Sequence, residues 1–189
     1  MVRRYADRPV DRAVVDRMID NAVRAPSAGF TQGWSFLVLD RPTDVDRFWS
    51  STAPPGQPSR WLTGMRTAPV VVVPLCSKAA YLERYAEPDK GWTDREDHRW
   101  PVPYWYVDTG MAALLILQTA VDEGLGACFF GIPAERVAVL RGEFGVPAEQ
   151  RPIGAVTVGH RLEAPGPPTG SPARRPRRPL DEVVHRGGY

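Results

Sequence analysis

"RAPSAGFTQGWSF", residues 24–36, decides how the rest of the chain is read. The stretch before it, "PVDRAVVDRMIDNAVRAPS" (9–27), places Val10, Val14, Met18 and Ala22 on one stripe. Val15, Ile19 and Val23 lie beside that stripe, which is the spacing of an amphipathic helix. Asp11, Asp16 and Asp20 face water with Arg12, Arg17 and Arg24, and Asp11 is placed to cap the helix start. Pro26 stops it, because a residue before proline avoids helical angles. "WSFLVLD" (34–40) then reads as a strand. Between the two stand several small residues, which let something large approach the backbone closely.

Further along, "PVVVVPL" (69–75) is apolar throughout and reads as a strand covered on both faces. The segment between the two strands holds one or two short helices broken by Pro54, Pro55 and Pro58. Residues 78–107 change character. A short helix leads into a charged, lid-like excursion dotted with Tyr81, Tyr85, Trp92, Trp100, Tyr104, Trp105 and Tyr106. "DTGMAALLILQTAVDEGLG" (108–126) is a helix, with Asp108 or Thr109 as its cap and Gly124 as its left-handed stop. It is apolar on nearly every face, as a central helix or a subunit contact requires. "IPAERVAVLRGEFGVP" (132–147) gives another helix, with Pro133 in its first turn, a Val137, Leu140 and Phe144 stripe, and Gly145 at its end. "IGAVTVGH" (153–160) is a third strand, and 161–189 an extended C-terminal arm with a basic cluster. Strands and helices mix without regular alternation. That pattern predicts a single α+β domain over 1–189, with a mixed sheet flanked by helices.

Bulk properties exclude several classes. The chain has 189 residues, 43 % of them hydrophobic and 24 % charged, an ordinary globular balance. A net charge of +2 does not point to nucleic acid. Two isolated cysteines, Cys76 and Cys128, suit a reducing cytoplasm. The start "MVRRYADRPV" has no apolar signal region, and the longest apolar run, 111–121, is too short to span a bilayer. "GLGACFFG" (124–131) has Phe129 where a dinucleotide-binding turn needs its third glycine. No phosphate loop or serine-nucleophile elbow occurs. His98, His160 and His185 lack metal-ligand spacing, so no metal site is expected. No proton donor or other catalytic side chain is identifiable. What remains suits a flat, anionic, partly apolar ligand. Arg3 and Arg4 stand at one chain end, and Arg174, Arg175, Arg177 and Arg178 at the other. Guanidinium forks bind phosphate in a bidentate manner.

Taken in order, "VRRYADRPV", "NAVRAPSAGFTQGWSF", "QTAVDEGLGACFFGIP", "FGVPAEQRPIGAVTVGH" and the tail "RRPLDEVV" resemble the nitroreductase superfamily of FMN proteins. The resemblance covers nearly the whole chain. It implies an intertwined homodimer with two FMN sites at the subunit interface and ping-pong chemistry. NAD(P)H reduces the flavin and leaves, and a small electron-poor acceptor, nitroaromatic or quinone-like, takes the electrons. The nicotinamide stacks on the flavin, so no dinucleotide-binding domain is needed.

The resemblance also assigns residues. Arg3 matches a basic side chain near the flavin pyrimidine edge. Pro26 and Ser27, with Ala28 beside them, match the segment lying against the ring. Phe129, Phe130 and Gly131 match a segment approaching from the other side. Arg177 matches the arginine that grips the phosphate, with Arg175 and Arg178 as neighbours. Two departures stand out. Family members carry R-R-[ST] ahead of the V-R pair, and Met1 takes the last of those places. Two further phosphate-gripping arginines are thus expected upstream, or else FMN is held more weakly. Phe30 replaces the Asn of the family's N-x-Q-P-W, which resembles the oxygen-dependent branch that cleaves flavin to make dimethylbenzimidazole. A non-catalytic flavin- or deazaflavin-binding protein is the third reading.

Overall fold

The computed structural model describes residues 1–54, 56–162 and 171–189; Pro55 and positions 163–170 of the expected arm lie outside the described residues. Helix α1 (Arg12–Ala22) starts where Asp11 accepts the Ala13 N–H, as the pattern predicts. It ends a few residues before Pro26, in hydrogen-bonded turns through Val23 and Ala25. Strand β1 (Trp34–Leu39) follows the small-residue junction. Helices α2 (Pro42–Thr52) and α3 (Arg60–Met65) lead to β2 (Val70–Cys76), whose seven residues are all buried. Helix α4 (Lys78–Ala86) opens the excursion, and α5 (Tyr104–Asp122) closes it. Strand β3 (Gly126–Phe130), helix α6 (Val137–Phe144), the short β4 (Arg151–Pro152) and β5 (Ala155–Gly159) complete the core.

The sheet runs β1-β2-β5-β3, with β4 paired to β2. Every pairing is antiparallel, which corrects the expected mixed sheet for the described residues. The reason is insertion order. The long α4–α5 connection brings β3 in parallel to β2, but β5 later slots between them and opposes both. Side chains alternate across this sheet, so each face has its own core. Val70, Val72, Val156, Val158 and Ala127 pack on α1 and α5. Val71, Val73, Leu75, Ala155 and Cys128 pack on α2, α3 and α6 through Phe48, Trp49, Met65 and Leu140.

Strand β3 was hidden in a glycine-rich string. Its Gly126 is required by a neighbour. A Cβ there would meet the Val2 side chain at 2.4 Å, where the Val2 N–H donates to the Ala127 carbonyl. The N-terminal segment is thereby stitched along the β3 edge. Tyr5 completes the seam, with its phenol 2.9 Å from the Val2 carbonyl and 2.8 Å from the Thr157 hydroxyl.

A second correction concerns α5. It begins at Tyr104, behind Pro103, so Asp108 and Thr109 lie inside the helix and cap nothing. The aromatic residues 104–106 belong to the helix, not to the excursion. Gly124 (φ 70°) and Gly145 (φ 62°) end α5 and α6 in left-handed turns, as expected. Pro133 precedes a 3-10 turn (Ala134–Arg136), and α6 starts only at Val137. Residues 173–189 of the arm are exposed throughout.

Candidate functional site

One end of the sheet gathers the start of β1, the end of β2, the end of β3 and the start of β5. Loop 25–33 crosses that end. It contains a cluster of left-handed backbone: Gly29 (φ 60°), Phe30 (φ 53°) and Gln32 (φ 51°). Two of these are not glycine, and each such residue stores about 1–3 kcal/mol of strain. The surroundings hold the shape. Arg84 Nε donates to the Gly29 carbonyl at 2.9 Å, and the Ser77 N–H donates to the Gly33 carbonyl at 2.8 Å. The Gln32 N–H donates to Ser27 Oγ at 3.0 Å. The glycines are forced by crowding as well. A Cβ on Gly33 would sit 2.5 Å from the Tyr81 ring, and one on Gly29 would sit 2.7 Å from Tyr85.

Asp108 is the hub beneath the loop. It is 1 % exposed, and its Oδ2 accepts the Ala28 N–H at 2.7 Å and the Tyr81 hydroxyl at 2.8 Å. Burial, and then the hydrogen bond to this carboxylate, push the Tyr81 phenol well above its ordinary value. Tyr81 therefore stays a donor at every physiological pH.

The excursion packs around the same hub. Trp100 contacts Tyr85, Trp92 and Tyr81 at ring-centroid distances of 4.4, 5.4 and 5.9 Å. Its outer surface is a lattice of ion pairs: Lys78 with Asp97, Arg84 with Asp89, Arg95 with Glu83, and Arg99 with Asp94. Hydrogen bonds from these cations hold Asp89, Asp94 and Asp97 below the usual carboxylate range. The aromatic excursion is thus an ordered satellite core, not a loose loop.

The expected site residues fall into three places. Pro26, Ser27 and Ala28 sit together in the loop, with Pro26 exposed and Ser27 and Ala28 half-buried. Phe129, Phe130 and Gly131 reach the same end of the sheet, two strands away from β2. Alternation splits the phenylalanines. Phe129 packs on the α1/α5 side, whereas Phe130 stacks on Trp49 at 5.6 Å and meets Trp61 at 5.5 Å on the opposite face. The Phe130 ring is therefore committed to the α2/α3 core. Gly131 is exposed, and a Cβ there would meet open space. Arg3 lies exposed on the β3 edge beside Cys128, whose thiol burial pushes upward. Arg177 is exposed in the arm.

One chain thus brings the loop and the lid together but leaves Arg3 across the full width of the sheet. Sequence reasoning missed the roles of Asp108, Tyr81 and Arg84. The available signal was a lone carboxylate at the head of an otherwise apolar helix. A groove of about 790 Å³ runs along α1 and α5 past Asn21, Arg24, Leu117 and Val121, not over the loop.

The nitroreductase family model matches residues 1–160. The chain belongs to the nitroreductase family. A Methanothermobacter thermautotrophicus protein, provisionally named NADH dehydrogenase/NAD(P)H nitroreductase, is 27 % identical over 168 residues, covering 87 % of this chain and 74 % of its own. An FMN-dependent nitroreductase from Clostridium difficile R20291 superposes with a TM-score of 0.71 at 19 % identity, covering 100 % of this chain and 94 % of that one. NfrA1 of B. megaterium gives 0.76 at 18 % identity, covering 100 % and 70 %. At such identities these structures establish the fold: helices around an antiparallel sheet. Among the described residues, no helix of this nitroreductase-family chain is long and apolar enough to cross a membrane.

The residues present fit an FMN group. Exposed guanidinium groups at Arg3 and Arg177 match a phosphate or an anionic ring edge. The exposed Pro26 and the open space over Gly131 leave room for a flat ring against backbone.

Proposed function

We propose that this nitroreductase-family chain is an FMN-dependent oxidoreductase that passes electrons from NAD(P)H to a small, electron-poor acceptor, nitroaromatic or quinone-like, in the cytoplasm. The observation that carries the reading is the strained loop 25–33, tethered from outside by Arg84, Ser77 and Asp108, beside a packed aromatic excursion. Such strain persists where the surroundings over-determine it, and it clusters at ligand sites. When bound, FMN would supply the redox chemistry, a two-electron exchange between the nicotinamide and the second substrate in separate half-reactions.

The chain's own residues do the rest. Pro26 and Ser27 present a small, flat wall to one ring face. Arg3 places positive charge at the pyrimidine edge, where it stabilises the electron-rich state. Arg177 binds the phosphate, with Arg175 beside it. The backbone of Phe129 and Gly131 approaches from the other side. Ala28 gives its N–H to Asp108 and so anchors the loop from beneath, beside Pro26 and Ser27 on the ring side.

The separation of Arg3 from loop 25–33 supports an intertwined homodimer, with the loop of one subunit facing the terminal arginines of the other. Two surfaces support that assembly. On α5, Leu114 is 51 % and Val121 70 % exposed. In the arm, Leu180 is 77 % exposed, with Val183 and Val184 also uncovered. Apolar side chains bared in this pattern call for a covering partner.

The deciding experiment is the absorbance spectrum of the purified protein, with and without added FMN. The expected result is a flavin band that bleaches on anaerobic addition of NAD(P)H and returns when a nitroaromatic is added. Protein that stays colourless after reconstitution overturns the reading. Phe30 favours a second outcome. It stands 77 % exposed at φ 53°, where the family carries Asn, a replacement that resembles the oxygen-dependent flavin-cleaving branch. Incubating FMN, NAD(P)H and oxygen with the protein, and analysing for dimethylbenzimidazole, separates the two. A bound flavin with no turnover of either kind identifies a binding protein.

A further inference from the structure

We propose that Asp108 is a positioning residue that locks loop 25–33 to the aromatic excursion, so that cofactor binding and acceptor access are coupled through one buried carboxylate. The inference rests on the flavin reading for its functional half and on geometry alone for its structural half. Three observations carry it.

First, the carboxylate is enclosed and, among the described residues, pairs with no cation; it accepts from the Ala28 N–H and the Tyr81 hydroxyl. Burying an unpaired carboxylate is unfavourable by several kcal/mol, and two hydrogen bonds offset only part of that. An apolar residue would pack α5 at lower cost. Second, both donors belong to the segments that meet at the proposed site. Ala28 follows Ser27 at the head of the left-handed cluster, and Tyr81 walls Gly33 while contacting Trp100 and Trp105. Third, the loop's other outside tethers, from Arg84 and Ser77, come from α4 and its cap, whereas Asp108 brings in α5. Without Asp108, α5 keeps only its apolar packing on Ala25 and Ala28 and loses its hydrogen bond to the loop.

The consequence is mutual. A ring pressing on Pro26 and Ser27 bears on Ala28, then on Asp108, then on Tyr81 and the lid. An acceptor that shifts Trp100 or Trp105 bears on the same carboxylate from the other side. Tight loop geometry therefore favours tight packing of the aromatic excursion, and the reverse holds by linkage.

The test compares Asp108→Asn with the parent in amide hydrogen exchange on flavin-free full-length protein. The amide keeps the shape, and its one oxygen can still accept from both donors, but the negative charge that strengthens those bonds is gone. Exchange at residues 28–32 is expected to rise about tenfold, the worth of one charge-assisted hydrogen bond, with α6 unchanged. On the loaded enzyme, FMN dissociation is expected to weaken by about the same factor, and KM for menadione to rise while kcat at saturation holds. Tyr81→Phe, which keeps the carboxylate and the ring, serves where Asp108→Asn folds poorly. Its effect on loop exchange is expected in the same direction, and the double variant is expected to be less than additive. Loop exchange that stays at the parent rate, or that rises only in step with α6, overturns the proposal, as does unchanged FMN affinity in a variant whose loop has loosened. Should the parent bind no FMN, the flavin reading fails separately, and the exchange data still decide whether Asp108 holds the loop.

Discussion

The Ala28 N–H and the Asp108 carboxylate meet at 2.7 Å across a sequence separation of 80 residues. That contact joins the loop after the first helix to the head of the central helix. Tyr81 shares the same carboxylate oxygen, so three segments converge on one atom. Tyr81→Phe leaves the enclosed carboxylate one donor short. The expected loss is about 1–3 kcal/mol of unfolding free energy, seen as a lower urea midpoint at constant slope. Tyr85→Phe is the control. Its ring wedges against Gly29 and Trp100, but its hydroxyl makes no hydrogen bond among the described residues, so a change under about 0.5 kcal/mol is expected.

Gly64 in α3 admits the N-terminal segment. A Cβ there would lie 2.3 Å from the Arg3 carbonyl oxygen, a backbone atom that cannot rotate away. Gly64→Ala gains about 1 kcal/mol of helix propensity but forces the segment off the sheet. The Val2 to Ala127 hydrogen bond at 3.0 Å goes with it. The expected outcome is a lower melting temperature and a weaker hold on FMN, since Arg3 moves with the displaced backbone. An unchanged melting curve would show that the segment does not sit against α3.

Much of this arrangement was readable from the residues, and the exceptions have physical causes. The helix stop at Pro26, the strand at 34–40 and the buried valine strand follow from local spacing, and each sits where expected within a few residues. Strand β3 was not legible, because Gly126 and Ala127 answer to the N-terminal chain crossing them rather than to a β-rich composition. The antiparallel order was hidden for a related reason. It depends on β5 inserting between β2 and β3, which no local pattern encodes. Asp108 read as a helix cap because acid residues favour helix starts. Three aromatic residues and Val107 ahead of it extend the helix and turn it inward. The expectation that the loop faces a cofactor came from motif order, whereas its strain at Phe30 and Gln32 is a tertiary effect.

Acidification is expected to loosen the lid before the core. Asp89, Asp94 and Asp97 are each held below the ordinary carboxylate range, chiefly by hydrogen bonds from Arg84, Arg99 and Lys78. A carboxyl whose folded value is depressed contributes stability above its unfolded value, near about 4, and loses it as pH falls through the folded value. These pairs lie at the surface, so each contribution is small and sensitive to salt. Trp92 and Trp100 report on them directly. Their emission is expected to hold steady from pH 7 to about 5 and to shift red below about 4, ahead of the far-ultraviolet transition. Half-molar salt at pH 7 is expected to move the lid in the same direction. A single coincident transition by both probes would show that the lid has no separate stability.

The last expectation concerns the outer face of α5. Leu114 and Val121 are exposed on a helix whose inner face holds Ala112, Ile116 and Ala120 fully or almost fully buried. A helix apolar all round is stable in water only when both sides are covered. Leu114→Glu places a charge on the uncovered side and touches nothing within the subunit core, so the fold is expected to survive. If that face is the contact between two copies, sedimentation of the variant shifts toward the monomer, and flavin is lost with it because loop and terminal arginines then belong to separate molecules. Leu140→Ala supplies the contrast. Leu140 is 0 % exposed between the sheet and α2, so its removal is expected to cost about 2–5 kcal/mol of stability while leaving the association state alone. Monomeric parent protein that binds FMN fully, or a Leu114→Glu variant that stays dimeric, would place the subunit contact elsewhere.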